Sequence, residues 1–163
     1  MKKILLSFST TLVGLLFIFS GAIKANDPLG FGYKLQEYFE VFHITFLHDL
    51  APAIAIFLCT LEIVLGALLF FGFWARKVSI GLLVVIILFT FLTFYSAFFK
   101  VVTSCGCFGD AIALTPWQSF TKDIVLLIFI VFIFINRDMI QPLLKSKTNR
   151  KLIFGVITAL ALG

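Results

Sequence analysis

The chain has 163 residues, of which 61% are hydrophobic and 13% are charged, and its mean hydropathy is +1.14. Soluble globular domains contain about 45–50% apolar and about 25% charged residues, so this chain has too little charge to cover a water-soluble globule. Its 22 phenylalanines exceed what one small core could enclose. The length allows one domain, and the composition indicates an integral membrane protein.

Four apolar stretches are long enough to cross a bilayer, which takes about 20 residues at about 1.5 Å each. They cover residues 4–23, 51–73, 78–99 and 117–135. A further stretch at 152–163 is too short to cross, and it is either interfacial or, as we favour, the start of a fifth helix. The sequence therefore predicts an all-α membrane protein, with a four-helix domain at 1–150 and the start of a possible fifth helix at 151–163.

The first stretch also has features of a cleavable signal peptide, because Lys2 and Lys3 precede it and Ala25 follows it. Its apolar run is longer than the about 7–15 residues of a signal core, and Ile23-Lys24-Ala25 lacks the two small residues of a cleavage site. A retained helix is favoured.

Lysine and arginine are unevenly shared between the two sides. With the N-terminus inside, nine lie on the inner side and four, Lys24, Lys34, Lys100 and Lys122, on the outer side. The positive-inside rule then predicts a multi-pass protein whose N-terminus lies on the cytoplasmic side. The net charge of +5 is explained by topology and anionic lipid, so no nucleic-acid partner is expected.

The first predicted outer loop, residues 24–50, opens with a turn-forming cluster at 26–32 and continues with a helical pattern. Its apolar positions recur at steps of three and four residues: Leu35, Tyr38, Phe39, Phe42 and Phe46. Such a segment is either an interfacial lid or a packing helix that closes one end of the bundle. His43 and His48 are five residues apart, which places them on different helix faces, and we interpret them as interfacial polar residues rather than metal ligands.

The second outer loop contains Cys105-Gly106-Cys107 and ends in a helix start, where Thr115 suits the N-cap, Pro116 the first turn and Gln118 a capping box. A Cys-x-Cys disulfide would close a small, strained and labile ring. This favours thiol redox chemistry over a structural pair, and both over a metal site, because two thiolates do not complete a zinc centre. Cys59, in the second helix, is by default a small apolar residue.

Glu62 and Asp123 lie well inside predicted spanning helices, where an ionisable residue is a functional candidate. They fall about 16 Å and about 12 Å below the outer ends of their helices, at a depth similar to that of Cys59. They are candidate proton carriers beneath the cysteine pair. Each could instead be a structural clamp, such as Glu62 bonded to a serine or threonine of a neighbouring helix; for Asp123, beside Lys122, the structural role is favoured.

The sequence resembles the DoxX-like membrane proteins, in particular the branch related to the methylamine-utilisation protein MauE. The matching positions run in order along the chain: residues 19–24, Asp27-Pro28, Glu62 with Gly66 and Gly72, residues 104–109, Trp117 and Asp123. The resemblance implies a DoxX-like four-helix bundle in a bacterial cytoplasmic (inner) membrane, with the Cys105-Gly106-Cys107 loop on the periplasmic side. MauE-type proteins look like accessory factors for disulfide-rich periplasmic proteins, and DoxX is associated with quinone-linked sulfur oxidation.

The leading hypothesis is a membrane thiol–disulfide redox component. Cys105 and Cys107 would exchange with a periplasmic thiol protein or thioredoxin-like domain, and electrons would pass to a quinone near Glu62. The rival hypothesis is a non-catalytic assembly or maturation factor that binds partners through its outer loops. A transporter is a weaker third interpretation, because no pair of interrupted helices is visible.

Overall fold

A computed structural model of the protein describes residues 2–99 and 115–140, together with Gly155. In these residues the elements are α1 (Lys2–Asn26), α2 (Pro28–Val41), α3 (Ala51–Phe70), α4 (Ala75–Phe99) and α5 (Pro116–Ile135), with short 3-10 turns at Thr45–Leu47 and Arg137–Met139. Four of the helices, α1, α3, α4 and α5, are long and apolar enough to cross a membrane. The predicted all-α membrane architecture is confirmed. The possible fifth helix at 151–163 lies outside the described residues apart from Gly155 and stays a prediction.

Helices α1 and α3 pack antiparallel and very close together, because glycines face each other across the contact. A Cβ atom on Gly14 would lie 2.9 Å from the carbonyl oxygen of Gly66, and one on Gly66 would lie 2.8 Å from that of Gly14. Further along α1, Gly21 faces the backbone of Cys59. Small residues that let backbones approach are the usual means of packing helices in a bilayer.

Helices α4 and α5 form the second antiparallel pair. The Thr93 hydroxyl on α4 donates to Asp123 on α5 at 3.0 Å, one turn from the tilted ring pair Phe94–Phe120. The opposite end of α4 carries Arg76, whose guanidinium lies 3.4 Å from the Asp138 carboxylate after α5. We call these two ends of the bundle the Thr115 end and the Arg76 end.

The start of α5 is the helix start that the sequence predicted. The Thr115 side chain accepts a hydrogen bond from the Gln118 backbone N–H, and the Gln118 side chain accepts one from the Thr115 N–H. Pro116 occupies the first turn, where its missing N–H costs nothing. The capping box is therefore confirmed.

Helix α2 begins earlier than predicted, because the cluster at 26–32 is a capped helix start rather than a turn. Asp27 accepts a hydrogen bond from the Gly30 N–H at 2.9 Å, and Pro28 fills the first turn. The helix buries Phe31, Leu35 and Tyr38 and packs on α3, so of the two alternatives it is the packing helix that closes the Thr115 end. Phe46, expected on the same apolar face, lies beyond α2 and is 77% exposed.

The prediction that α1 ends at Ile23 and that Lys24 begins the following loop was wrong. The helix continues to Asn26 because no helix-breaking residue intervenes before Asp27 and Pro28. Lys24 therefore remains on the helix, faces the bundle interior and is 2% exposed. Outward-facing positions of the spanning helices are apolar, as at Phe57 and Ile128, which fits a lipid surrounding.

Candidate functional site

Four charged side chains converge inside the bundle near the Thr115 end. Lys24 on α1, Glu62 on α3, and Lys122 and Asp123 on α5 line one cavity. Its volume is about 30 Å³, which is enough for one water molecule but not for a drug-sized ligand. We call these four residues the charge cluster; it is the candidate site.

The Lys24 ammonium is held by contacts from three other helices. It donates to both Glu62 carboxylate oxygens, at 2.6 and 2.8 Å. It also lies 4.3 Å from the centre of the Phe89 ring on α4 and 5.4 Å from that of Phe31 on α2. Aromatic faces attract cations, and the two charged side chains are only 2% and 3% exposed. The ammonium of Lys24, a residue of α1, therefore contacts side chains of α2, α3 and α4.

Asp123 has a different set of partners. Its Oδ2 atom accepts a hydrogen bond from the Thr93 hydroxyl at 3.0 Å, and its Oδ1 atom lies 2.9 Å from the Lys122 ammonium. Asp123 is 1% exposed, whereas the Lys122 side chain is 24% exposed. This pair therefore reaches the edge of the bundle, unlike Lys24 and Glu62.

The cluster contains two carboxylates and two ammonium groups, so its formal charges cancel. Placing an uncompensated charge inside an apolar bundle is expensive, whereas a paired one is tolerated. The cancellation explains how four ionisable side chains fit among spanning helices. It also gives the cavity polar walls on three helices.

The structure brings together two of the predicted site residues, Glu62 and Asp123, at one cavity. The other two, Cys105 and Cys107, lie outside the described residues. Cys59 is 2% exposed, belongs to the hydrophobic core and is a free thiol. It lies one turn before Glu62 on α3, consistent with its interpretation as a small apolar residue.

Sequence reasoning missed Lys24 as a member of the charge cluster and Thr93 as the hydrogen-bond partner of Asp123. The signal for Lys24 was present, since Asp27 and Pro28 mark the start of the next helix and thereby extend α1 past residue 24. The serine or threonine clamp considered for Glu62 occurs instead on Asp123, where Thr93 provides it. No sequence signal indicates that Thr93 faces α5 rather than lipid.

His43 and His48 do not line the cavity of the charge cluster, and their predicted interfacial position stays a prediction. His48 lies 3.2 Å from Glu40, and His43 is exposed with a positive φ of 56°. Within residues 2–99 and 115–140, no group of three or more His, Cys, Asp or Glu side chains could hold a metal ion.

Comparison with known proteins places the chain in a family. Residues 2–136 match the sequence model of the family described as "Methylamine utilisation protein MauE". The chain belongs to the MauE family. The matched segment runs from the start of α1 to the end of α5, and it includes the whole charge cluster and both loop cysteines. The MauE branch of the resemblance is thus confirmed, while the wider likeness to DoxX stays a prediction.

A curated relative of the MauE-family chain is "Protein TlpB" of Flavobacterium psychrophilum. The two sequences are 28% identical over 156 residues, which is 93% of this chain and 40% of the relative. The chain therefore spans about two fifths of that protein's length. No solved structure matches the chain.

Proposed function

We propose that this MauE-family protein is a thiol–disulfide redox component of the bacterial cytoplasmic membrane that acts on periplasmic partners. The observation that carries the proposal is the position of the Cys105-Gly106-Cys107 sequence. It belongs to the segment that joins α4 to α5 at the Thr115 end, the same end at which Glu62 and Asp123 line a cavity. A thiol pair in sequence next to a buried proton-handling cluster is the combination that coupled electron and proton transfer needs.

The proposed reaction has two steps that balance. A periplasmic protein with two thiols reduces the Cys105–Cys107 disulfide, so the partner gains a disulfide and the loop cysteines become two thiols. The two loop thiols would then give two electrons and two protons to a membrane quinone, which would become a quinol, and the Cys105–Cys107 disulfide would form again. The two protons would pass through the charge cluster, in which Glu62 and Asp123 are the acids that line the cavity.

The quinone does not fit the cavity of about 30 Å³ beside Glu62, so the quinone position near Glu62 that the sequence suggested is not kept. A larger recess of about 330 Å³ lies between α4 and α5, lined by Thr90, Phe94 and Phe120 among others. The recess is open rather than enclosed and mainly apolar, as a site for a ring that enters from the lipid would be, and it is one turn from the Thr93–Asp123 contact. We place the quinone ring there.

Charge distribution supports the orientation in this proposal. With Lys24 buried in the bundle, the Thr115 end keeps fewer lysines at its surface than the sequence count gave, and the bias toward the Arg76 end increases. By the positive-inside rule, the N-terminus is then cytoplasmic, and the loop with Cys105 and Cys107 is periplasmic.

The proposal is tested by thiol alkylation in membranes with and without a reductant. We expect two cysteines to become alkylated only after reduction in the wild type, and the shift to disappear in the double variant Cys105→Ser/Cys107→Ser. Cys59→Ser is the matched control, because this buried thiol is outside the proposed pair and the reductant-dependent shift should persist. Free thiols at both positions in oxidised membranes would overturn the proposal.

The exposed apolar side chains near α2 favour one alternative, a non-catalytic assembly factor. Tyr33 is 61% and Phe46 77% exposed, as expected of a partner-binding surface. Under this alternative, Phe46→Ser abolishes the cellular function of the protein and Cys105→Ser/Cys107→Ser leaves it intact. Under the redox proposal, Cys105→Ser/Cys107→Ser abolishes that function and Phe46→Ser leaves it intact. Tyr38 is unsuitable for this test, because it is 3% exposed and its replacement would disturb the packing of α2.

A further inference from the structure

We infer that the two acids of the charge cluster have different roles: Lys24 and Glu62 form a permanent ion pair, whereas Asp123 is the group that takes up and releases a proton. This inference deepens the proton step of the proposed function and rests on it for its physiological meaning. The protonation of Asp123 is nevertheless a property that can be measured without any thiol chemistry.

The surroundings of Glu62 provide for one protonation state only. Both of its oxygens accept hydrogen bonds from the Lys24 ammonium, at 2.6 and 2.8 Å. An ammonium has three donors and no acceptor, so it offers nothing to the O–H of a protonated Glu62. Proton uptake would also leave the Lys24 charge without its counter-charge at 2% exposure. The pair is therefore fixed as ions.

The surroundings of Asp123 provide for both protonation states, because its partner is a hydroxyl. Thr93 Oγ1 lies within hydrogen-bond distance of three acceptors: Asp123 Oδ2 at 3.0 Å, the Phe89 carbonyl at 2.9 Å and the Thr90 carbonyl at 3.1 Å. A hydroxyl has one donor and two acceptor lone pairs. It donates to the ionised Asp123; when Asp123 is protonated, it accepts from the carboxyl O–H and donates to either carbonyl. No heavy atom has to move.

The counter-charge of Asp123 is also able to leave. The Lys122 ammonium lies 2.9 Å from Oδ1, but its side chain is 24% exposed. Long lysine side chains at helix ends direct their charge toward the polar interface. When Asp123 is neutral, Lys122 can therefore turn outward and remain solvated, which Lys24 cannot do.

The remaining charged groups that face Asp123 do not oppose its uptake or release of a proton. Lys24 on α1 and Glu62 on α3 line the same cavity, and because they pair with each other, their charges largely cancel there. The cavity of about 30 Å³ has room for one water molecule, which would connect Asp123 to the outside. Asp123 is thus the one acid of the cluster with a partner for each state and a route for the proton.

The test is infrared spectroscopy of the full chain in lipid vesicles, titrated with acid while the C=O stretch of protonated carboxyl groups is recorded. Exposed acids contribute equally in all variants and cancel in the difference spectra. We expect a buried-carboxyl band in the wild type, its loss in Asp123→Asn, and its retention in the matched double variant Lys24→Met/Glu62→Met. A band that survives Asp123→Asn, or that disappears with Glu62 instead, overturns the inference.

Two further variants examine the role of the hydroxyl and protect the test against misfolding. Thr93→Val should move the midpoint of the band, because the ionised carboxylate loses the hydroxyl that donates to it, and Thr93→Ser should restore it. An unchanged midpoint in Thr93→Val would contradict the hydroxyl argument. If Asp123→Asn does not insert, Asp123→Glu takes its place, and an unaltered band and midpoint would then overturn the assignment.

The same spectra recorded for Cys105→Ser/Cys107→Ser separate this inference from the proposed function. We expect the Asp123 band to be unchanged without the thiols. Failure of the alkylation test with the band intact removes the redox function but leaves Asp123 as a proton site. Loss of the band in the cysteine variant would show that the protonation belongs to the loop and not to the charge cluster.

Discussion

Glu62 and Asp123 are both carboxylates that line the same cavity, yet the residues that contact them differ. Glu62 is bound through both oxygens to a buried ammonium, whereas Asp123 is shared between a hydroxyl and a partly exposed lysine. Burial alone therefore does not make an acid in a membrane helix functional. What matters is whether its partners can accept as well as donate, and whether its counter-charge can move away.

The largest loss of stability should come from breaking the buried ion pair of Lys24 and Glu62. Lys24→Met leaves the Glu62 carboxylate without its partner, and we expect the free energy of unfolding to fall by about 3–5 kcal/mol, since removing one member of a buried ion pair strands the other. Thermal or denaturant unfolding in detergent micelles, followed by circular dichroism, measures this.

The double variant Lys24→Met/Glu62→Met is the control for that experiment. Replacing both members of a buried pair with apolar residues is often neutral or stabilising, so the double variant should recover most of the lost stability. If it is as unstable as the single variant, packing of the lysine side chain rather than its charge holds the helices, and the clamp interpretation is wrong.

The second effect concerns the helix contact that supports the Glu62 side of the cavity. A Cβ atom at Gly21 would lie 2.7 Å from Ile63 Cγ1, 3.0 Å from the Cys59 carbonyl oxygen and 3.1 Å from Glu62 Cβ. Gly21→Ala should therefore push α1 from α3 and cost about 1–2 kcal/mol net, after the roughly 1 kcal/mol by which alanine favours the helix. The infrared band assigned to Asp123 should be unaffected.

Gly81→Ala on α4 is the matched control, because its Cβ would meet only side-chain atoms of Leu65, the nearest at 3.0 Å. Those atoms lie at the end of a flexible side chain, so we expect the unfolding midpoint to stay the same or to rise. Equal losses for Gly21→Ala and Gly81→Ala would show that the α1–α3 contact has no special demand for glycine.

A smaller effect is expected on the Asp123 side of the cavity. Asp123→Asn keeps the size of the side chain and an oxygen for the Thr93 hydroxyl, and Lys122 can remain solvated. We expect a loss of about 1 kcal/mol, in the range of partly exposed ion pairs, measured by the same unfolding assay. A loss as large as that of Lys24→Met would mean that both acids are structural clamps.

The sequence predicted the spans well, because a run of about 20 apolar residues has few other interpretations. It also predicted the start of α5, where Thr115, Pro116 and Gln118 act within one turn. Capping is a local interaction, and local interactions can be deduced from neighbouring residues. The same reasoning applied to Asp27 and Pro28 would have extended α1 to residue 26.

The partners of the buried acids could not be predicted in this way. Lys24 and Glu62 are 38 positions apart, and whether they meet depends on how α1 rotates against α3, which the glycine contacts determine. The sequence located Glu62 and Asp123 as unusual because charge is costly among apolar residues. It could not show which acid had a fully buried lysine and which a hydroxyl with a partly exposed lysine, and this distinction separates their proposed roles.

The smallest change in unfolding free energy is expected at the Arg76 end of the bundle, and the other losses can be compared with it. Arg76 and Asp138 are 3.4 Å apart, but their side chains are 70% and 74% exposed, so water and salt screen the pair. Asp138→Asn should change the unfolding free energy by less than about 0.5 kcal/mol, as for most surface substitutions, and less still at high salt. Measured beside Lys24→Met and Asp123→Asn in one assay, it tests whether the energetic weight of a charge in this protein follows its burial. If Asp138→Asn were as destabilising as Asp123→Asn, the Arg76–Asp138 contact would be a second clamp, and the charge cluster would not be the one place where charge holds the described helices together.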